Sequence, residues 1–150
     1  MDERFMKAAL REAVKAAAED EVPVGAVIVM ENKILCRAHN RKEKRNDATA
    51  HAEIIAINKA CKKTGNWYLD GAELYVTLEP CAMCAGAIIN SRISKLYYGA
   101  RDPRYGCCGS LYNLTSDKRF NHNPEVMGGI LEKECGSLLT EYFRTKRKNR

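Results

Sequence analysis

The fold is decided by residues 74–98, LYVTLEPCAMCAGAIINSRISKLYY. Leu74–Leu78 is a short apolar run that predicts a strand. Pro80 suits the first turn of a helix, where its missing N–H costs nothing, and the apolar residues after it continue that helix. Lys95–Tyr98 predicts a second strand. A strand, a helix and a strand in such short order imply a parallel crossover, and therefore an α/β protein.

Elements of both kinds flank this segment. Apolar residues recur at helical spacing near the N-terminus, and two short apolar runs joined by Glu31-Asn32 predict a hairpin. In chain order, the predicted elements outside the crossover are a helix over Glu3–Ala18, strands over Val24–Met30 and Lys33–Ala38, a loop over Asn40–Ala50, a helix from about His51 to Lys63 that ends at Gly65, a loop over Ala100–Asn123 and a helix over Met127–Arg144. This order is typical of a layered α/β domain with a mixed sheet, and we expect one domain over residues 1–150.

The composition limits the class of protein. A chain of 150 residues is long enough for one sizeable core and too short for two ordinary domains. No apolar run approaches the roughly 20 residues that span a bilayer. The N-terminal residues lack the basic and then apolar layout of a secretory signal. We therefore expect a cytoplasmic protein with no membrane segment.

The seven cysteines are an odd number and are not spaced as a disulfide framework. In a reducing compartment, cysteines more often bind metal or fill apolar cores. Cys36, Cys61 and Cys135 lie in apolar patterns, which predicts core positions. The pair Cys107-Cys108 lies in a glycine-flanked loop and receives no assignment.

The net charge is +6, and basic residues are concentrated in two stretches. Five lie within Arg37–Arg45 and five within Arg144–Arg150. A basic excess attracts polyanions without choosing among them. From charge alone, nucleic-acid binding and a merely solvated surface with a frayed tail are both open.

Potential metal ligands lie in two motifs, His51–Glu53 (HAE) and Pro80–Cys84 (PCAMC). Cys81 and Cys84 are three residues apart in a predicted first helical turn, so both sulfurs can face one point. A helix N-terminus also favours the thiolate form that binds metal, and His51 opens the other helix. Structural zinc sites use four protein ligands, whereas catalytic sites use three and leave a position for water. The three-donor set therefore predicts an enzyme that activates water.

Glu53 follows His51 by two residues, but at about 100° per residue on a helix the two side chains diverge, so joint coordination is disfavoured. Zn²⁺ with two thiolates and a neutral imidazole is formally neutral, and acidifies water less than an all-histidine site does. A nearby carboxylate must then help to remove the proton, which is the role predicted for Glu53. The alternative is a structural four-ligand site completed by His39, His122 or another cysteine.

The spacing H-x-E…P-C-x-x-C is that of the zinc nucleobase deaminases. The surrounding residues indicate which family of these deaminases the chain resembles, and this resemblance extends over nearly the whole chain. Four stretches resemble the bacterial tRNA-specific adenosine deaminases: Val22–Val27, Thr49–Ile54, Thr77–Ile88 and Gly99–Asp102. One departure is Ala48, where this family often has a proline that would stiffen the loop without binding metal.

The resemblance implies hydrolytic conversion of adenosine to inosine at the wobble position of a tRNA anticodon loop. One Zn²⁺ per subunit would be held by His51, Cys81 and Cys84. Water would attack C6 of the adenine, and Glu53 would take its proton, deliver it to N1 and assist the loss of ammonia. The resemblance also implies a cytidine-deaminase-like fold of three layers, with a mixed five-stranded sheet flanked by helices, and usually a homodimer.

The same resemblance implies that the Ala52 N–H holds the base edge and that Asn40 contacts the target nucleotide. The anticodon loop is single-stranded, so its base enters a pocket at less cost than a base in a duplex. Further residues of the long loop and the last helix could grip neighbouring nucleotides by stacking and phosphate contacts. These are Arg101, Asp102, Asn121, His122, Tyr142, Phe143 and Arg144. Core packing on the last helix is the alternative role of Phe143.

Two other functions compete with this interpretation. A deaminase of free guanine, cytosine or a nucleoside would share the metal site and the fold, but its pocket would need no basic surface. A zinc-stabilised RNA-binding module would explain the charge and the cysteines, but neither Glu53 nor the missing fourth ligand.

Overall fold

The computed structural model describes residues 1–148, in which five strands form one sheet between two layers of helices. The elements in chain order are α1 (Glu3–Ala18), β1 (Gly25–Met30), β2 (Lys33–His39), α2 (Lys42–Arg45), α3 (Ala52–Thr64), β3 (Glu73–Leu78), α4 (Ala82–Asn90), β4 (Lys95–Ala100), β5 (Glu125–Met127) and α5 (Glu132–Lys148). A 3-10 turn, Leu114–Ser116, lies in the loop between β4 and β5. The predicted α/β fold with a mixed five-stranded sheet is confirmed.

The strands lie in the order β2-β1-β3-β4-β5. Strand β1 is antiparallel to both of its neighbours, whereas β3, β4 and β5 are parallel to one another. Helix α4 joins β3 to β4 and forms the predicted crossover. Because parallel strands end at the same edge of a sheet, the segments that follow β3 and β4 lie side by side at that edge.

Two apolar cores hold the three layers together. On one face of the sheet, α3 and α4 cover Ile28 and Val76, and on the other face α1 and α5 cover Val27, Tyr75 and Tyr97. Successive strand residues point to opposite faces, which is why the neighbours Val27 and Ile28 belong to different cores. The ring centroids of Tyr75 and Tyr97 lie 4.7 Å apart.

Gly25 allows α1 to approach the sheet closely. A Cβ at this position would lie 2.0 Å from the carbonyl oxygen of Ala9 and 2.5 Å from the backbone nitrogen of Ala13. Both atoms belong to helix backbone, which has no flexible end that could move aside. The missing side chain of Gly25 therefore sets the distance between α1 and β1.

Two lysines of α3 cover the free edge of the sheet at β2. Lys59 Nζ donates to the carbonyl oxygen of Arg37, and Lys63 Nζ donates to that of Leu35, both at 2.7 Å. Leu35 is the extra residue where the register between β1 and β2 shifts. The two ammonium groups thus occupy acceptors that an edge strand would otherwise present to water.

Most predicted elements are confirmed, with boundaries that differ by one or two residues. Helix α4 begins at Ala82 with Cys81 as its N-cap, so Pro80 precedes the helix instead of lying in its first turn. The loop predicted over residues 40–50 contains the one-turn helix α2. Both predicted ends of the last helix are wrong, because Met127 is the final residue of β5, α5 begins at Glu132, and the helix continues past Arg144 to Lys148.

Two glycines separate β5 from α5. Gly128 packs against the ring of Tyr98, where a Cβ would lie 2.3 Å from a ring carbon. Gly129 has a φ of +86°, a left-handed backbone that a side chain disfavours. The chain therefore turns away from the sheet at these positions before it becomes helical.

The cysteine predictions are mostly confirmed. Cys36 and Cys135 are buried as expected. Cys61 is only partly buried: it packs against the core from the last turn of α3, where its sulfur contacts the carbonyl oxygen of the exposed Trp67 at 3.5 Å. Cys108, which had no assignment, is buried beside the end of β3.

The helices carry polar outer faces. Helix α1 buries one stripe of small and apolar residues, and the fully buried residue of α5 is Cys135. Within residues 1–148, no helix combines the length and the apolar character that crossing a membrane would require.

Candidate metal centre and active site

The candidate site lies where two helices begin. His51 is the N-cap of α3 and Cys81 is the N-cap of α4, and both have extended backbones. Cys84 lies in the first turn of α4, three residues after Cys81, so the two side chains are neighbours. Because α3 and α4 pack on the same face of the sheet, their N-termini bring together side chains 30 and 33 residues apart in the sequence.

The three donor atoms form a compact group. Nδ1 of His51 lies 3.7 Å from the sulfur of Cys81 and 3.6 Å from the sulfur of Cys84. All three atoms lie within 4.8 Å of one another, and Cys84 is buried while the other two residues are partly exposed. In the part of the chain that the structure describes, the group has these three members. Such a cluster could hold a metal ion and leave one side open to a substrate.

The surroundings favour a thiolate within this group. Hydrogen bonds from Cys84 and His51 outweigh burial and lower the pKa of Cys81 to about 4. The hydrogen bond with Cys81, together with burial, raises the pKa of Cys84, and the pKa of His51 is also raised, chiefly by its bond with Cys81. Protons are therefore shared among the three donors, and a cation that bound there would displace them.

Glu53 lies in the first turn of α3 and is 4% exposed. Burial raises the pKa of its carboxyl to about 7. Glu53 is not a member of the donor group, but it lies close enough to His51 and Cys81 for their charges to affect the pKa of its carboxyl. A buried carboxyl that titrates near neutral pH, placed beside a candidate metal centre, can accept and return protons.

Asn40 binds the start of the same helix from outside it. Its side-chain oxygen accepts the Ala52 N–H at 2.7 Å, and the residue is buried. The N-cap residue, His51, makes no capping hydrogen bond of its own, so Asn40 supplies the cap. The Ala52 N–H, which is predicted to hold a base edge, is thus engaged by Asn40 in this structure.

The two other histidines lie outside the donor group. The Nδ1 and Nε2 atoms of His39 lie 3.1 Å and 3.3 Å from carboxylate oxygens of Glu12 and Glu19. Nε2 of His122 lies 2.7 Å from the carbonyl oxygen of Ile93. Both side chains are therefore committed elsewhere. Among residues 1–148, nothing supports the alternative of a closed four-ligand site.

The predicted RNA-contacting loop residues lie at two ends of β4. Arg101 and Asp102 follow β4, at the edge of the sheet where β3 leads into Cys81. Asn121 and His122 precede β5, whose first residue pairs with the first residue of β4. Six strand residues at about 3.3 Å each put about 20 Å between the two pairs. The loop therefore brings only the first pair to the end of the sheet that carries the donor group.

The predicted contacts on α5 lie near its C-terminal end. The Tyr142 hydroxyl donates to the carbonyl oxygen of Asp20 at 3.3 Å, which attaches this end of the helix to the end of α1. Phe143 is 44% exposed, so core packing is not its role. Arg144 pairs with an acidic side chain one turn earlier on the helix surface. Residues 149 and 150 of the basic C-terminal stretch lie outside the described residues.

Sequence reasoning missed two buried carboxylates near the site. Glu79, between β3 and Pro80, is 2% exposed and accepts hydrogen bonds from the loop after β4. Glu21 accepts the N–H groups of Glu43 and Lys44 at 3.1 Å and 2.7 Å, and so caps the one-turn helix α2. The signal for Glu79 was an acidic residue directly after a buried strand, with no basic residue close by in the sequence.

Comparison with known proteins defines the class. Residues 1–145 match the family described as MafB19-like deaminase, so the fold and the site are those of a deaminase. The chain is 52% identical over 149 residues to the tRNA-specific adenosine deaminase of Bacillus subtilis. This alignment covers 99% of this chain and 92% of that protein. The chain is 48% identical to the protein of the same name from Agrobacterium fabrum, over 95% of this chain and 94% of that one. The chain belongs to the family of tRNA-specific adenosine deaminases.

Solved structures agree with this assignment. A structure from studies of A-to-I editing by tRNA:A34 deaminases superposes with a TM-score of 0.88 at 48% identity, and covers 91% of this chain and 99% of that chain. A guanine deaminase from Nitrosomonas europaea superposes with a TM-score of 0.82 at 27% identity, over 95% of this chain and 84% of that chain. The fold is therefore common to deaminases of different purine substrates.

Proposed function

We propose that this protein converts adenosine to inosine at the wobble position of a tRNA anticodon loop. The observation that carries the proposal is a buried Glu53 beside a three-donor group, in a chain 52% identical to a tRNA-specific adenosine deaminase. The fold alone would also suit a guanine deaminase, since one shares it at 27% identity. The higher identity to the tRNA-specific proteins, which extends over nearly the whole chain, favours the RNA substrate.

We infer that the metal is Zn²⁺, held by His51, Cys81 and Cys84. In a tetrahedral zinc site, Zn–N of about 2.05 Å and Zn–S of about 2.3 Å separate the nitrogen from each sulfur by about 3.6 Å. The two distances in this structure are 3.6 Å and 3.7 Å, so the residues fit. Two thiolates and an imidazole also suit Zn²⁺ better than Mg²⁺ or Ca²⁺. When bound, the ion lowers the pKa of water and favours its attack on C6 of the adenine.

Glu53 is the proton carrier in this proposal. Its carboxylate takes one proton from the water whose oxygen bonds to C6, and delivers that proton to N1 of the adenine. The second proton of the water passes to the exocyclic nitrogen, the C6–N bond breaks, and ammonia leaves while the oxygen remains as inosine. Because burial raises the pKa of Glu53 to about 7, its carboxyl can both accept and donate at neutral pH.

Asn40 and Ala52 are proposed to form one wall of the base pocket. Oδ1 of Asn40 already accepts the Ala52 N–H, so the Asn40 amino group is the donor left to meet the nucleotide. The Ala52 N–H can reach a base edge only by leaving Asn40. Binding of the base and the capping of α3 are therefore linked.

Basic side chains at the edge of the sheet that carries the donor group support an RNA substrate. Lys42 of α2 lies close enough to His51 for its charge to oppose the rise in pKa that the Cys81 hydrogen bond causes. Basic side chains bind phosphates, and exposed rings stack on unpaired bases. Asn121 and His122 lie about 20 Å away along β4, so we propose that they contact a more distant part of the tRNA. The contacts proposed around the target nucleotide are Arg101, Asp102, Tyr142, Phe143 and Arg144.

We propose that residues 1–150 form one deaminase domain, which acts as a homodimer in the cytoplasm. Met83, Leu111 and Tyr112 expose large apolar side chains, the last of them by 68%. They lie on the start of α4 and on the loop attached to it by the hydrogen bond from the Cys107 N–H to the Pro80 carbonyl, at 2.8 Å. Exposed apolar side chains that lie together are typical of contact surfaces. Light scattering should give twice the 16.9 kDa chain mass, and a monomer at micromolar concentration would contradict the dimer.

The substrate is tested by inosine detection in an arginine-tRNA anticodon stem-loop that carries adenosine at the wobble position. We expect conversion by the metal-loaded protein, loss of conversion with a chelator, and recovery when Zn²⁺ is added. Free adenosine, guanine and cytosine are assayed in parallel. Preferential turnover of a free compound would contradict the proposal and favour a small-molecule deaminase.

The proton carrier is tested by Glu53→Gln. We expect kcat to fall by about 10²–10⁴, because general acid–base catalysis is lost, while metal content and stem-loop affinity are retained. Glu125→Gln is the matched control, since it removes an exposed carboxylate at the far end of the sheet. Full activity of the Glu53 variant would rule out this role.

A further inference from the structure

Glu79 is a buried carboxylate that the proposed chemistry does not use. It follows β3, two residues before Cys81, and is not a member of the donor group. A buried carboxylate is costly unless hydrogen bonds or a cation compensate for its lost hydration. In this chain the compensation comes from a single loop.

Four hydrogen bonds reach Glu79, and all of them come from residues 102–110. The Asp102 N–H donates to Oε1 at 3.0 Å, and the N–H groups of Cys108 and Ser110 donate to Oε2 at 3.1 Å and 2.9 Å. The Ser110 hydroxyl donates to Oε1 as well. The loop is folded around the carboxylate, which replaces the backbone acceptors that a strand or a helix would provide.

Gly106 reveals how closely the loop surrounds this side chain. A Cβ at that position would lie 2.4 Å from Cδ and 2.5 Å from Oε2 of Glu79. Two backbone hydrogen bonds of 2.8 Å extend the contact: Glu79 N–H to the carbonyl of Ala100, and Cys107 N–H to the carbonyl of Pro80. The loop is thus attached to the segment that leads directly into the metal motif.

The same loop presents side chains at the edge of the sheet that carries the donor group. Tyr105 is 68% exposed. The side chain of Asp102 accepts the N–H groups of Arg104 and Tyr105 at 3.1 Å and 3.2 Å, and so forms the turn that carries the ring. The position of this turn depends on the Asp102 backbone, whose N–H is bound by Glu79.

We propose that Glu79 is a positioning residue for the RNA substrate, which holds the 102–110 loop, with Asp102 and Tyr105, in a fixed place relative to the metal centre. The inference rests on the proposed function. Glu79 acts through the loop and not on the reacting atoms. Loss of its carboxylate therefore weakens binding of the RNA and leaves the proton transfers at Glu53 unchanged.

The test compares Glu79→Gln with Glu73→Gln, the same substitution at the start of the same strand. In the metal-loaded protein without RNA, we expect amide exchange to become at least about 10-fold faster in the Glu79 variant only, either at Asp102 or at Cys108 and Ser110, because the glutamine keeps one acceptor oxygen and its NH₂ cannot accept the N–H groups that face it. On the stem-loop, we expect KM to rise about 10-fold while kcat changes less than about 3-fold and metal content stays constant. Unchanged exchange, or a lower kcat at constant KM, would overturn the proposal.

Ser110→Ala provides a second variant that keeps the carboxylate and removes one donor. We expect KM to rise about 2–5-fold, because one hydrogen bond is lost, and kcat to be retained. If Glu79→Gln does not fold, an unchanged KM of Ser110→Ala overturns the proposal. The exchange measurement contains no substrate, so inactivity of the unsubstituted protein on the stem-loop would refute the proposed function without deciding whether Glu79 holds the loop.

Discussion

The Ala52 N–H donates to the side-chain oxygen of Asn40 at 2.7 Å, across twelve residues of sequence. This bond caps α3 in place of His51, which occupies the N-cap position but directs its ring to the donor group. One residue therefore serves both the stability of a core helix and the wall of the proposed pocket.

Replacing Asn40 by alanine is expected to lower the free energy of unfolding by about 1–2 kcal/mol, because a buried N–H at a helix start loses its acceptor. Urea denaturation of the metal-loaded protein measures the change. Asn58→Ala, at an exposed position in the middle of α3, is the control and should change stability by less than about 0.5 kcal/mol. Equal losses in the two variants would contradict the capping role.

Removal of the metal is expected to lower the melting temperature, since an ion that binds only the folded chain stabilises it by mass action. At free metal 1,000-fold above Kd, this stabilisation is about 4 kcal/mol. Cys84→Ala should abolish the difference between chelator and added Zn²⁺. Cys36→Ala removes a buried thiol outside the donor group and should melt earlier but keep the difference. Thermal denaturation with and without chelator measures the melting temperature of each chain. A melting temperature of the unsubstituted chain that does not depend on metal would refute a bound ion.

The environment of Glu12 should make the free energy of unfolding depend on pH. Burial alone would raise the pKa of Glu12, but hydrogen bonds from Lys15 and His39, at 2.7 Å and 3.1 Å, outweigh it and hold the pKa below its ordinary value. The pKa is thus lower in the folded chain than in the unfolded chain. Glu12 therefore stabilises the fold above the ordinary value of 4.5, and this contribution disappears as the pH falls through the folded pKa.

Glu12→Gln should accordingly destabilise the protein most near neutral pH and progressively less below about pH 4.5. Urea midpoints of the variant and the unsubstituted chain, measured from pH 7 to pH 3, give the difference directly, because the metal contributes equally to both. Glu125→Gln, an exposed control, should leave the pH profile unchanged. A stability difference between Glu12→Gln and the unsubstituted chain that stays constant with pH would show that Glu12 makes no such contribution.

Gly25→Ala is expected to destabilise the protein by about 3 kcal/mol, because the new Cβ would meet the backbone of α1 and force the helix away from the sheet. Gly136→Ala is the matched substitution on α5, where a Cβ has open space, and should stabilise by about 0.5–1 kcal/mol. Chemical denaturation of both variants measures these changes. If both substitutions shifted stability in the same direction, the close approach at Gly25 would not limit the packing.

Local sequence pattern predicts the crossover and the donor group well. Residues 74–98 contain a complete strand, helix and strand, and ligand residue types at the helix starts need only short-range geometry to converge. Strand β5 could not be located in this way, since three residues have no periodicity of their own. They become a strand because Glu125 and Met127 pair with Lys95 and Tyr97 of β4.

The surroundings of the site are harder to predict, because they depend on contacts that no local sequence pattern marks. The partners of Glu79 are mostly backbone N–H groups, which every loop residue carries, so no residue type marks them. Asn121 and His122 share a loop with Arg101 and Asp102, yet the strand between them places the pairs far apart. Sequence proximity within a long loop does not imply proximity in space.

The lysines at the outer strand restrict how copies of this chain can associate. With Lys59 and Lys63 bound to the carbonyl groups of Arg37 and Leu35, a second chain that tried to extend the sheet at β2 would meet two fixed ammonium groups. The opposite border is β5, and its three residues offer a short ladder. Assembly by a continuous intermolecular sheet is disfavoured at both borders, so we expect the proposed dimer to form through helices and loops.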